Sequence, residues 1–307
     1  MSKKIRPLSI VYNEKSGFRH NKDQISDQMI FDRFTNYGFD VKPYEIHAYA
    51  NMQALMQEVI LRHQSYEDCG IVVAAGGDGT LNSVAQYLRH THIVLGILPL
   101  GTFNYVARFL NIPLGLSDAI EVIATGQNKS VHVACINEYI YLNNASFGLY
   151  PLFIKKREKY NHLLGRLPFN AYSSALDVLI RDRKELKLEI YIDGQKFPVK
   201  TPLVFFGNNQ LQLSDFGLKI AKAAEEGLVA GVIAVKSDKL SLFKMVYQFI
   251  QGKLDQAKDV YSFSANKVLI KAKRSTFTVA LDGELATIQT PIQISIDHDS
   301  LLVRVLA

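Results

Sequence analysis

The stretch of this chain best suited to chemistry is Gly76-Gly77-Asp78-Gly79-Thr80-Leu81-Asn82. Three glycines in four residues let the backbone take positive φ and come close to a ligand. The run stands between an apolar segment, 71–75, and a segment of helical spacing, 83–88. A helix starting here offers unpaired N–H groups and a positive dipole end, which suits a phosphate. Asp78 is out of place if anions are the sole guest, and is explained by a metal ion or a ribose hydroxyl. A plain strand-to-helix turn is the alternative.

Two further loops have the same character. Pro99-Leu100-Gly101-Thr102-Phe103-Asn104 follows the apolar run 93–98, and Asn13-Glu14-Lys15-Ser16-Gly17 follows the β-branched run 8–12. Loops after consecutive strands of a parallel sheet gather at its carboxyl edge, where open α/β folds bind ligands. The pattern reads as a nucleotide cradle of an uncommon kind, since the chain contains neither GxxxxGK[ST] nor GxGxxG.

Residues 8–125 alternate strand-like and helix-like segments, which predicts a Rossmann-like parallel sheet covered by helices. Beyond residue 130 the pattern becomes strands and tight turns, with Asn137-Glu138 and Asp193-Gly194 as hairpin turns. Helical spacing returns at 171–180 and 242–250, the second with Leu242, Phe243, Val246, Phe249 and Ile250 on one side. Burial against the sheets is the ordinary use of that stripe, and an acyl-chain groove the other. The expected organisation is an α/β domain over 1–130 and a mainly antiparallel β domain over 131–290.

At 307 residues, with 48% hydrophobic and 21% charged side chains, the composition is that of a globular protein rather than a disordered one. No apolar run approaches the length of a membrane span or a signal peptide, which excludes a transmembrane protein and makes a cytoplasmic one the expectation. Cys69 and Cys135 form no metal or disulfide pattern. The net charge of +6 allows an acidic partner, but no basic run is interleaved with a nucleic-acid motif. The clusters at Lys155, Lys156, Arg157 and Lys159, and at Lys271, Lys273 and Arg274, read first as solvated faces.

These motifs resemble the catalytic region of diacylglycerol and sphingosine lipid kinases, specifically the bacterial soluble diacylglycerol kinase-like lipid kinases. The resemblance runs over nearly the whole chain: Asn143-Asn144-Ala145-Ser146-Phe147-Gly148-Leu149, Gly207-Asn208-Asn209, Glu225-Glu226-Gly227-Leu228 and Leu281-Asp282-Gly283-Glu284 follow in family order. The Gly-Gly-Asp-Gly-Thr element is shared with NAD kinases and phosphofructokinases; Leu81-Asn82, the run 99–104 and the late Asp-Gly-Glu favour the lipid branch. It implies an N-terminal α/β domain and a C-terminal β-sandwich, with 291–307 packing back on the first domain. It also implies ATP and Mg²⁺, with Asp78 helping to hold the Mg–ATP unit and Gly76, Gly77, Gly79 and Thr80 at the phosphates. Asn13, Ser16, Gly17, Asn82, Gly101, Thr102 and Asn104 complete the nucleotide pocket. Asp282 becomes the general base on a lipid hydroxyl, and Glu284 a support for the metal. Without the resemblance, Asp282-Gly283-Glu284 would read as a surface hairpin turn.

Five positions depart from the family pattern: Glu14 in place of a proline, Tyr105 and His132 in place of acids, and Glu225-Glu226 in place of an aspartate pair. The partners that follow are ATP, a lipid alcohol and peripheral contact with an anionic membrane surface, with homodimerisation open and no nucleic acid. A kinase for a soluble alcohol or NAD, and a regulatory protein that binds nucleotide or lipid without transfer, are the rival readings.

Overall fold

The computed structural model describes residues 6–13, 27–152, 185–235 and 238–307. Ser16, Gly17, the basic cluster at 155–159 and the helical segment 171–180 lie outside the described residues. The chain divides into two units, Met1–Val133 with His298–Ala307, and Ala134–Asp297.

The first unit follows from its apolar runs. Its elements are β1 (Arg6–Tyr12), α1 (Asp27–Asn36), β2 (Phe39–Glu45), α2 (Met52–Gln64), β3 (Ile71–Gly76), α3 (Asp78–Leu88), β4 (Val94–Pro99), α4 (Tyr105–Phe109) and α5 (Leu116–Thr125). The strands are parallel in the order β2-β1-β3-β4. Every residue of β3 and β4 is buried, as strands covered on both faces must be. Leu8, Ile10, Ile71 and Val73 pack with Ile30 and Phe34 of α1 and with Ile120 and Ile123 of α5. Asn51 caps α2 by accepting from the Ala54 N–H at 2.9 Å, and Leu55, Met56 and Val59 turn inward. Register sets the functional geometry: Tyr12 pairs with Ala75, and Gly76 with Pro99. The chain therefore leaves β1, β3 and β4 at one edge of the sheet.

In the second unit the repeat of two along the strands produces two antiparallel sheets. Their elements are β6 (Tyr139–Tyr141), β7 (Asn144–Gly148), β8 (Leu186–Ile192), β9 (Gln195–Thr201), β10 (Leu203–Gly207), α6 (Gln210–Asp215), α7 (Ala221–Glu225), β11 (Val229–Ala234), α8 (Lys239–Ile250), β12 (Val260–Ala265), β13 (Lys267–Lys271), β14 (Thr276–Leu281), β15 (Glu284–Gln289) and β16 (Ile292–Val305). One sheet runs β12-β11-β10-β7-β14-β15, and β13 lies between β16 and β8 in the other. Their inner faces bury Phe147, Phe206 and Phe277 against Ile190, Ile270 and Ile294. The phenyl rings meet edge-on, Phe147 at 6.3 Å from Phe206 and 6.1 Å from Phe277.

Asp193-Gly194 and Asp282-Gly283 both turn their hairpins with positive φ at the two central residues, the arrangement that matches strand twist. Two strands, β5 (Gln127–Ile136) and β16, carry the chain across the boundary of the units. The far end of β16 pairs in parallel with β4, Val303 against Leu95, and Arg304 there donates to the carbonyls of Ile123 and Gly126.

Candidate active site

The loops after β3 and β4 meet backbone to backbone. A Cβ placed on Gly101 would lie 2.6 Å from the Gly77 Cα, and one on Gly77 3.3 Å from the Gly101 Cα. Glycine is needed at residue 101 to let the two loops touch. The Leu100 N–H donates to the Gly76 carbonyl at 3.0 Å. Thr80 folds its side chain over Gly76, where a Cβ would stand 2.7 Å from Oγ1. Gly77 is the N-cap of α3 and brings no side chain to the first-turn N–H groups. Asn13, Gly79, Thr80 and Asn82 are half-buried and Thr102 is exposed.

Asp78 and Asn104 hold this junction. The Asp78 carboxylate accepts from the Tyr105 N–H at 3.3 Å and the Val106 N–H at 3.2 Å, so a residue of the first loop caps the helix that follows the second. Asn104, 8% exposed and in the left-handed region with φ 49°, spends its amide on its own loop. Its Oδ1 accepts from the Gly101 N–H at 2.9 Å, and its Nδ2 donates to the Pro99 and Gly101 carbonyls. Asn104 thus shapes the loop from behind.

The second unit contains a separate constellation around Asp282. Its Oδ2 accepts from the Leu142 N–H at 2.7 Å, and its Oδ1 from the Asn143 and Asn144 N–H groups, each at 2.8 Å. The Asp282 N–H donates back to the Asn144 carbonyl at 2.9 Å. A hairpin turn presents the carboxylate, and the start of β7 is folded around it. Glu284, the first residue of β15, is exposed. Tyr141 is wholly buried nearby, and burial, with the neighbouring Cys135 and Asp282 acting in the same direction, pushes its phenol well above the ordinary value.

Buried amides extend from this clamp. Asn209 Nδ2 donates to Asn143 Oδ1 at 2.8 Å, and Asn144 Nδ2 to Gln212 Oε1 at 2.9 Å. Asn144 is 7% exposed, yet its Oδ1 has no hydrogen-bond partner among the described residues. A buried amide oxygen left so is costly unless a ligand donates to it. Asn144, Gln212 and Tyr150 bring polar groups to the lining of a cavity of about 280 Å³ whose other side chains are apolar, among them Leu149, Phe205, Val232 and Phe249. Sequence reading assigned no role to Asn144 or Gln212. The adjacent pairs Asn143-Asn144 and Asn208-Asn209, each beside a β-strand, were the available signal.

A model of the diacylglycerol kinase catalytic domain matches residues 7–136, and one of the YegS C-terminal NAD kinase beta sandwich-like domain matches 156–305. Residues 7–136 belong to the diacylglycerol kinase catalytic-domain family, and the two models together span most of the chain. Among curated proteins it is similar to diacylglycerol kinases of Staphylococcus aureus, strains Newman and JH1, at 29% identity over 201 residues. That stretch is 64% of this chain, and the chain spans 61% of the length of these relatives. Of solved structures, a diacylglycerol kinase from Bacillus anthracis str. Sterne has the same fold, with a TM-score of 0.70 and 20% identity over 99% of this chain and 98% of that one.

Of the positions that depart from the family pattern, Glu14 lies outside the described residues, and the other four have definite surroundings here. Tyr105 stacks on Phe103 with ring centroids 5.8 Å apart, and Arg108 lies over the Tyr105 ring. Phe103 is 63% exposed. His132 meets the His298 ring at 6.0 Å. Glu225 accepts from Gln210 Nε2 at 2.8 Å, and Glu226 pairs with Lys222 at 3.7 Å. Lys271, Lys273 and Arg274 join Lys187 and Lys200 around an open cavity of about 960 Å³.

No three His, Cys, Asp or Glu side chains gather as a metal site among the described residues. Mg²⁺ in phosphoryl transfer takes one or two carboxylates and fills its remaining positions with phosphate oxygens and water. Asp78 fits that demand, because each of its oxygens accepts a single long N–H bond and has a second lone pair.

Proposed function

We propose that this chain is a lipid kinase that transfers the γ-phosphoryl group of ATP to the hydroxyl of a lipid alcohol, diacylglycerol or a close relative. The observation that carries the choice of acceptor is the Asn144 amide oxygen. It is buried and lacks a donor among the described residues, Asn144 itself lines a largely apolar cavity, and the N–H of the same residue is held by Asp282. An alcohol with a hydrocarbon tail satisfies both the polar and the apolar lining of such a cavity. A soluble alcohol or NAD would leave the apolar wall without a partner.

In this reading the nucleotide belongs to the first unit. Backbone N–H groups of Gly76, Gly77 and Gly79 and the Thr80 hydroxyl serve the phosphates, with Asn13, Ser16, Gly17, Asn82, Gly101 and Thr102 around them. Asn104 acts from behind through the loop it braces. Asp78 and Glu284 are the residues that would hold Mg²⁺, which neutralises charge on the β- and γ-phosphates. Asp282 takes the proton of the acceptor hydroxyl as its oxygen bonds to the γ-phosphorus. The bond from that phosphorus to the β,γ-bridging oxygen breaks, and ADP leaves with the electron pair. Three backbone N–H groups fix the Asp282 carboxylate for this work, since a misplaced base loses most of its effect. No helix among the described residues is long and apolar enough to cross a membrane. The proposal places the protein in the cytoplasm, in peripheral contact with an anionic bilayer.

Labelled ATP incubated with the protein and a total lipid extract tests this, with NAD and glycerol as parallel acceptors. Label in a lipid that contains a free hydroxyl is the expected result. Label in NAD or glycerol alone would overturn the acceptor. ATP binding with no transfer to any of them would favour the regulatory reading.

A further inference from the structure

α8 is apolar on two sides. Leu242, 1% exposed, faces inward with Met245 and Val246 toward Leu149 and Leu152, and Phe249 lies 4.5 Å from the Phe216 ring. Turned the other way, Leu240, Phe243, Tyr247 and Ile250 are 64, 40, 65 and 66% exposed. Their spacing of three, four and three residues puts them on one stripe of the helix. A surface helix normally turns polar side chains to water at such positions, and a continuous exposed apolar stripe marks an interaction site.

Charge identifies the partner. Residues 239–250 contain no acid, and Lys244 is exposed beside the stripe, followed by exposed Lys253 and Lys258. Two of the three acids that flank the helix are turned to local bonds: Asp238 caps α8 through the Ser241 N–H, and Asp255 accepts from the Lys219 N–H and Ser262 Oγ. Aliphatic and aromatic side chains bordered by lysines are the composition of a helix that lies in a membrane interface. A second copy of the chain fits less well, because a two-fold pairing of stripes would bring like charges together over an area small for a stable dimer.

We infer that the outer stripe of α8 enters the interface of an anionic bilayer, with Lys244, Lys253 and Lys258 toward the headgroup phosphates. The inner face of the same helix, through Met245, Val246 and Phe249, walls the apolar cavity described above. A helix lying in the interface would bring that cavity to the depth of the acyl chains. The inference gives a surface to the membrane contact in the proposed function. Its test reads binding alone, so failure of lipid phosphorylation and failure of docking are separate results.

The full chain is sedimented with phosphatidylcholine vesicles and with vesicles that also contain phosphatidylglycerol. Wild type is expected on the mixed vesicles. The double variant Tyr247→Ser, Ile250→Ser should partition at least about 100-fold less, roughly tenfold for each large apolar side chain withdrawn from the interface. Lys244→Gln with Lys253→Gln should lose about 25-fold on the mixed vesicles and little on neutral ones. All four side chains are exposed, so melting temperatures should stay at the wild-type value. Wild type that stays in the supernatant with both vesicles, or variants that bind as wild type does, would overturn the inference. So would a dimer in sedimentation velocity that Tyr247→Ser, Ile250→Ser converts to monomer.

Discussion

Asp282→Asn separates the two duties given to this carboxylate. The turn itself should survive, because Asn-Gly suits its two positive-φ positions as well as Asp-Gly does. The clamp should not. An amide has one oxygen, so if it keeps the Asn143 and Asn144 N–H groups, its NH₂ is set against the Leu142 N–H now 2.7 Å from Oδ2. One hydrogen bond to a charged acceptor is lost outright and two become neutral ones, together roughly 3 kcal/mol. For a unit of this size that is a fall in Tm of about 6–12 °C. As the general base is lost too, kcat measured well below the new Tm should drop about 10²–10⁴-fold. Calorimetric ATP affinity should be unchanged. Differential scanning calorimetry and a kinase assay on the same sample read both effects. A variant that melts within a degree or two of wild type refutes the clamp, and one with full kcat refutes the base.

Gly101→Ala should push the two nucleotide loops apart, since its Cβ meets the Gly77 Cα at 2.6 Å; ATP affinity measured by calorimetry should fall at least tenfold, with about 2 kcal/mol of stability lost in denaturant titration. Asp78→Asn keeps one acceptor for the α4 N–H groups, so the cost in stability should be about 1 kcal/mol. Mg–ATP affinity should fall more than Mg-free ATP affinity; equal losses would take Asp78 out of metal binding. His63 is fully buried, with Nε2 against Ser9 Oγ and Nδ1 against the Cys69 carbonyl, and burial lowers its pKa from 6.5 to about 4. The unfolded chain then binds the extra proton first, so this contribution is whole above pH 6.5 and lost as pH falls toward 4. Between those limits wild type should lose about 3 kcal/mol that His63→Gln does not, and parallel stability profiles would refute the assignment.

Much of the architecture was legible in the chain because it is local. Continuous apolar runs announced β3 and β4 as buried strands, and Asp193-Gly194 announced its hairpin. Since parallel strands share a direction, the loops after β1, β3 and β4 had to leave from one edge, and the register agrees. Glycine at residue 101 could be read as permissive, but not as the point where another loop's backbone touches.

Contacts between distant residues leave no such trace. Asp78 caps a helix 27 residues further on, Asn144 meets Gln212 across 68 positions, and Asp282 reaches back 138 to the Asn144 N–H. Nothing in the spacing of Leu242 to Ile250 told which arc of α8 the second unit would bury and which it would leave facing water. Residue type and short-range period determine which elements form and where chemistry is available. Only packing decides which of those groups meet, because the energy of a buried polar contact depends on what the rest of the chain has placed around it.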